Sequence, residues 1–147
     1  MRIYLDTCCY NRPMDNLSQD KIYMESEAIK AILSKCEYGV WDLVGSEVLE
    51  FELKNNPNTV KQQKTLMLYS CAKDIQILTD HIIIRAKEFE NQKIKALDAL
   101  HLATAEYANV NTLLSVDSDF IKLSKMTNTK ISVRNPVDWL MEVDIDD

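Results

Sequence analysis

Short apolar runs alternate along this chain with longer stretches whose apolar residues recur at helical spacing. Residues 2–6 read as a short buried strand, 40–44 as a second, 75–78 as a third, 112–116 as a fourth and 131–133 as a last. Between the first two runs, residues 19–38 place Ile22, Ala28, Ile29, Ile32 and Leu33 on one helical face, and Gly39 closes that helix. Ser46 is suited to cap a helix running to about residue 55, and Asn56-Pro57-Asn58 breaks the pattern. Further helices are predicted over 59–72, 80–91, 95–108 and 119–125. Asn11 to Asp15 reads as a loop, and Pro136 opens a final helical turn carrying Trp139 and Leu140. Short strands alternating with helices predict an α/β fold with a parallel sheet covered on both faces.

Against this apolar background, a few acids are out of place. Asp98 lies in Lys95-Ala-Leu-Asp-Ala-Leu-His-Leu-Ala-Thr-Ala105, where Glu106 is the only other charge from 96 to 108. Asp117 follows the fourth apolar run and Asp6 ends the first. A carboxylate desolvated in apolar surroundings is costly unless a positive partner sits beside it. In parallel α/β sheets, ligands bind beyond the carboxyl ends of the strands, which puts Asp6 and Asp117 on one edge. Each acid also has a plainer reading: Asp98 as a favourable charge in a first helical turn, Asp117 as a helix cap, Asp6 as a turn residue. Asp119 or Ser118 could serve as that cap instead, which leaves Asp117 as the better ligand candidate.

Glu47, Glu50 and Glu52 compete for a fourth place. At about 100° per residue from Val48, Glu52 falls near 40°, inside the arc formed by Phe51, Val48, Leu49 and Leu53; Glu47 and Glu50 fall outside it. Glu52 is therefore expected on the core side. His101, three residues after Asp98, is placed to orient an acid or contact a phosphate, or simply to pack as a hydrogen-bonded histidine.

Composition changes the picture in three ways. The chain has 147 residues, enough for one domain with its own core. With 17 basic and 23 acidic side chains the net charge is −6, so a nucleic-acid substrate requires metal ions or local basic patches to overcome repulsion. Lys54, Lys61, Lys64, Arg85, Lys87, Lys93 and Lys95 could form such tracks, and solvated helix faces explain them equally well. The four cysteines, Cys8, Cys9, Cys36 and Cys71, lack Cys-x-x-Cys spacing; they are expected to be thiols in a reducing cytoplasm rather than zinc ligands or a redox pair. No apolar run is long enough to cross a bilayer, and the N-terminus does not read as a signal peptide.

Four carboxylates close together need a counter-charge, because like charges raise each other's pKa values. An oxygen-only set suits Mg²⁺ or Mn²⁺, which points to metal-assisted hydrolysis of a phosphodiester.

The motifs Ile3-Tyr-Leu-Asp-Thr7, Ser46-Glu-Val-Leu-Glu-Phe-Glu52, Leu97-Asp-Ala-Leu-His-Leu-Ala-Thr-Ala105 and Leu113-Leu-Ser-Val-Asp-Ser-Asp-Phe120 together resemble the PIN-domain pattern over nearly the whole chain. The resemblance implies a three-layer α/β/α sandwich around a mainly parallel sheet, as one domain over 1–147. It implies Mg²⁺- or Mn²⁺-dependent endoribonuclease activity, often as the toxin of a VapBC-type toxin–antitoxin module, with RNA as substrate, an antitoxin as partner and a homodimer as assembly. By motif, the catalytic and metal-holding acids would be Asp6, Glu52, Asp98 and Asp117, with Thr7 and Ser115 in polar positions beside them and Asp119 close by; Arg12 could reach a substrate phosphate from its loop, and a solvated loop arginine explains it as well. Cys8-Cys-Tyr-Asn-Arg-Pro13 departs from the commonest toxin sequences, which are apolar there, and resembles a less-studied branch of the family.

Two other classes compete. A non-catalytic scaffold that binds a protein partner fits the acidic charge. A phosphatase using Asp6 as nucleophile is disfavoured, because Asp6-Thr-Cys8 lacks a second aspartate two residues on.

Overall fold

The computed structural model describes residues 1–145. Five strands form one all-parallel sheet: β1 (Arg2–Leu5), β2 (Asp42–Ser46), β3 (Asp74–Gln76), β4 (Thr112–Leu114) and β5 (Ser132–Arg134), in the order β3-β2-β1-β4-β5. Tyr4 pairs with Val44 on one side and Leu113 on the other, so β1 is central. Eight α-helices connect and cover the strands: α1 (Thr7–Asn11), α2 (Asp20–Glu37), α3 (Glu47–Lys54), α4 (Thr59–Tyr69), α5 (Asp80–Asn91), α6 (Ala96–Tyr107), α7 (Ser118–Ser124) and α8 (Pro136–Ile145). Helices α2 and α8 pack together, as do α5 and α6, and the whole is an α/β/α sandwich. The central strand residues Ile3, Tyr4 and Leu5 are fully buried, as expected of a strand covered on both faces.

The chain runs from β1 outward through β2 to β3, then returns to β4 on the other side of β1. That reversal makes a crevice beyond the carboxyl ends of β1 and β4.

Helix ends follow their sequence signals. Gly39 takes φ +82°, its N–H bonds to the Cys36 carbonyl, and Val40 N–H bonds to Lys35, which is a Schellman closure. Residues 40 and 41 are thereby used in leaving α2, which is why β2 begins at Asp42 and not at residue 40. The same closure ends α5 and α6 at Lys93 (φ 78°) and Asn109 (φ 58°). Gly45 has a different role: a Cβ there would lie 2.3 Å from the Tyr69 hydroxyl oxygen, so only glycine lets that ring cross β2.

Several expected boundaries shift. The stretch expected as a loop from Asn11 contains the end of α1 and a 3-10 turn over Arg12–Met14, because the Asp6 side chain caps α1 and Pro13 fits the start of the turn. α4 ends at Tyr69 rather than 72, β3 covers 74–76 rather than 75–78, and β4 stops at Leu114 rather than 116. β5 runs one residue later than expected, and the final turn is a ten-residue helix. Trp139 on that helix packs edge-on against Trp41, with ring centroids 4.8 Å apart, a tertiary contact the local pattern does not carry. Phe51, expected in the apolar arc of α3, is 71% exposed.

Candidate metal centre

The crevice at the strand ends is a cleft of about 260 Å³ lined by Asp6, Thr7, Cys8, Asn11, Glu52, Leu97, Asp98, His101 and Asp117. All four expected acids thus share one wall-to-wall space, although they come from four separate segments. Asp6 and Asp117 arrive from the ends of β1 and β4, Glu52 from the second turn of α3, and Asp98 from the first turn of α6.

Two of these acids begin helices. Asp6 Oδ1 accepts from the Cys9 backbone N–H at 3.2 Å and from the Cys8 thiol at 2.7 Å. Asp117 Oδ1 accepts from the backbone N–H groups of Asp119 and Phe120 at 3.0 and 3.1 Å. Asp117 therefore caps α7 itself, while Asp119 supplies a backbone donor. Glu52 repeats the pattern: Thr7 donates to its Oε1 at 2.8 Å, and His101 Nε2 bonds the same oxygen. For Asp117 and Glu52 these hydrogen bonds orient the carboxylate through one oxygen and leave the other for a cation, whereas Asp6 also takes a bond from the Ser115 side chain. Ser115, fully buried, accepts from the Asp117 N–H at 3.1 Å and so shapes the turn between β4 and α7.

The electrostatics of the acids differ. Asp98 is pushed up to about 6 by burial first, then by the charges of Asp117 and Asp6; His101 and Lys95 oppose the shift. Among the described residues, no group donates a hydrogen bond to it. Asp6 is also raised by burial, against the bonds from Cys8 and Ser115. For Glu52, burial is outweighed by the hydrogen bonds from His101 and the Thr7 hydroxyl, and its carboxyl is lowered. A crowded, half-buried carboxylate set with oriented oxygens fits a divalent cation, which would supply the missing counter-charge.

A second grouping overlaps this one. Ligand atoms of Asp6, Cys8 and Cys9 lie within 4.8 Å of one another. Burial pushes the Cys9 thiol well up, and it donates to the Leu114 carbonyl, so Cys9 is held as a structural thiol. Cys8 faces the cleft beside Asp6.

His101 is buried, with Nδ1 2.7 Å from the Tyr4 hydroxyl, and it touches an acid directly. Arg12 does not line the cleft. Its guanidinium lies 3.1 Å from buried Glu25 and 3.0 Å from Asp15, joining the 3-10 turn to α2. Of the basic residues, Arg85 is tied to Glu88 and Glu106, and Lys54 lies 3.8 Å from Glu50. Lys61 and Lys64 line a separate apolar groove of about 670 Å³ with Lys30, Pro13, Met67 and Leu68. Tyr4, Cys8 and Asn11 belong to the site or its support without having been singled out. A tyrosine inside an otherwise apolar strand was the available signal for Tyr4, since a buried phenol needs a hydrogen-bond partner.

The PIN-domain family model matches residues 3–126. The chain belongs to the PIN-domain family. The match contains Asp6, Glu52, Asp98 and Asp117 and runs from Ile3 in β1 past the end of α7. Among solved structures, this PIN domain is similar to VapBC2 from Rickettsia felis bound to a DNA fragment from their promoter. The TM-score is 0.56 at 18% identity, covering 92% of this chain and 98% of the other. At that identity the likeness concerns the fold. No curated protein matches the chain. No helix among the described residues is long and apolar enough to cross a membrane.

Proposed function

We propose that this PIN domain is a divalent-metal-dependent endoribonuclease, with Asp6, Glu52, Asp98 and Asp117 holding Mg²⁺ or Mn²⁺. The observation that carries the reading is convergence: Asp6, Glu52, Asp98 and Asp117, from four separate segments, line one cleft, and half-buried Asp98 is raised to about 6 by burial and then by Asp117 and Asp6, as in a site short of positive charge. A divalent cation bound there supplies charge stabilisation to the phosphoryl oxygens and activates water for in-line displacement. The chain's own contribution is orientation. The N-terminus of α1 holds Asp6, that of α7 is capped by Asp117, and Thr7 with His101 fixes Glu52. The acidic wall of the cleft also repels nucleic acid until metal is bound, so substrate affinity is expected to depend on the cation.

The deciding assay is cleavage of single-stranded RNA with Mg²⁺ or Mn²⁺ by the wild type and Asp98→Asn. Equal activity in both would sink the reading. A non-catalytic scaffold predicts no metal binding, so calorimetry with Mn²⁺ on wild type and Asp6→Asn separates the two. The similarity in fold to the toxin–antitoxin pair VapBC2 supports a further proposal, that a small antitoxin protein is the partner of this chain. Co-purification with the product of an adjacent small open reading frame tests it.

A further inference from the structure

Behind Glu52 runs a chain of buried polar groups, of which the four-acid reading uses only the His101 end. Ser46 Oγ lies 2.8 Å from the Tyr4 hydroxyl, the Tyr4 hydroxyl lies 2.7 Å from His101 Nδ1, and His101 Nε2 bonds Glu52. Ser46, Tyr4 and His101 are all essentially inaccessible to solvent. Polar groups at that depth are retained where every proton has a place to go, so the direction of the chain can be worked out.

It starts at the cap of α3. Ser46 Oγ accepts the Leu49 N–H at 3.0 Å, and its own proton then points to the Tyr4 oxygen. The Tyr4 proton passes on to His101 Nδ1. A neutral imidazole that accepts at Nδ1 carries its hydrogen on Nε2. That hydrogen faces Glu52 Oε1, the oxygen that already accepts from Thr7 at 2.8 Å. The reverse direction would place a proton between Tyr4 and Ser46 Oγ and leave the serine's own hydrogen without an acceptor among the described residues. Only the first arrangement satisfies every donor.

We propose that Tyr4 and His101 are positioning residues: the directed chain from Ser46 fixes His101 as its Nε2–H tautomer, and this N–H, together with Thr7, occupies one oxygen of Glu52 and turns the other toward the cation. This rests on the metal reading above. Outer partners of metal-binding side chains set ligand orientation, and their loss costs about 10–100-fold in affinity.

Two measurements test it. Nitrogen-15 spectra of the imidazole in the metal-free wild type read the tautomer directly, with Nε2–H expected; an Nδ1–H tautomer overturns the proposal. Calorimetry with Mn²⁺ then compares the wild type with His101→Phe, His101→Gln and Tyr4→Phe. His101→Phe is expected to weaken Mn²⁺ binding by about tenfold or more. His101→Gln, which keeps an N–H donor near the Nε2 position, is expected to rescue most of it, and Tyr4→Phe to fall between. Wild-type affinity in a folded His101→Phe protein overturns the proposal, as does a loss in His101→Gln equal to that in His101→Phe. Failure of the wild type itself to bind Mn²⁺ removes the metal reading instead, and the nitrogen spectra still decide the tautomer.

Discussion

Glu52 and Asp98 line one cleft and are held in opposite ways. On the Glu52 side, a hydroxyl and an imidazole N–H converge on one oxygen, and the carboxyl is more acidic than usual. On the Asp98 side, burial is followed by two like charges, and the carboxyl is raised to about 6. The difference separates two jobs within one acidic site. One wall is pre-ordered by neutral donors and needs nothing further. The other is held in tension by Asp117 and Asp6, and a cation relieves it.

The largest expected effect breaks the tense side. Asp98→Asn should lower Mn²⁺-dependent RNA cleavage by about 10²–10³-fold, comparable to removing one preorganised electrostatic contact from a hydrolytic site. Single-turnover rates at saturating Mn²⁺ measure it, and a loss below tenfold would take Asp98 out of the machinery.

Next comes a change outside the cleft that acts on the ordered side. Gly45→Ala would place its Cβ 2.3 Å from the Tyr69 hydroxyl and 2.8 Å from Ile75 Cδ1. Tyr69 accepts the Ser46 N–H at 3.2 Å, and Ser46 begins the chain that leads to Glu52. The variant should lose about 1–3 kcal/mol of stability in urea unfolding, the usual range for overpacking.

A pair of charge-removing variants should then differ in the sign of their pH dependence. Metal-free Asp98 binds its proton more tightly folded than unfolded, so its contribution to stability falls as pH rises from 3.8 to about 6. Asp98→Asn should therefore be more stable than the metal-free wild type at pH 7, by about 1 kcal/mol after allowance for solvent screening, and the gain should vanish below pH 3.8. Glu52 is shifted the other way: its contribution is present above 4.5 and is lost as pH falls through its lowered value. Glu52→Gln should be less stable than the wild type at pH 7, with the gap closing in acid. Thermal melts across that pH range read both, and the same sign in the two variants would break the comparison.

The smallest effect is a control at a residue that does not line the cleft. Lys93 holds φ 78° at the end of α5, where glycine carries no Cβ penalty. Lys93→Gly should stabilise the protein by up to about 1 kcal/mol and leave Mn²⁺ affinity unchanged.

Much of the architecture was legible because it depends on local periodicity. α5 covers Asp80–Asn91, as its apolar spacing predicted, and Ser46 caps α3 as its residue type suggested. The side-chain angle of Glu52 about the α3 axis is a local property, set by its position relative to Val48. Phe51 shares the same arc but is 71% exposed, because an apolar residue at the edge of an arc is buried only if another element covers it. Strand ends drifted for a related reason. Val40 and Trp41 are apolar enough for a strand, yet the Schellman closure of α2 uses the backbone at that point.

What the sequence by itself determined was the alternation of strands and helices and the four acids stranded in apolar surroundings. Both follow from periodicity and from the cost of desolvating charge, which each residue carries with it. Tertiary structure alone decided how those acids are held. Tyr4 and His101 are separated by 97 positions, and Glu52 and His101 by 49, so no local pattern could pair them. Nor could it say that Asp98 is crowded where Glu52 is cradled. Carboxylate acidity depends on the charges and donors within a few ångströms, and the return of the chain from β3 to β4 is what brings them there.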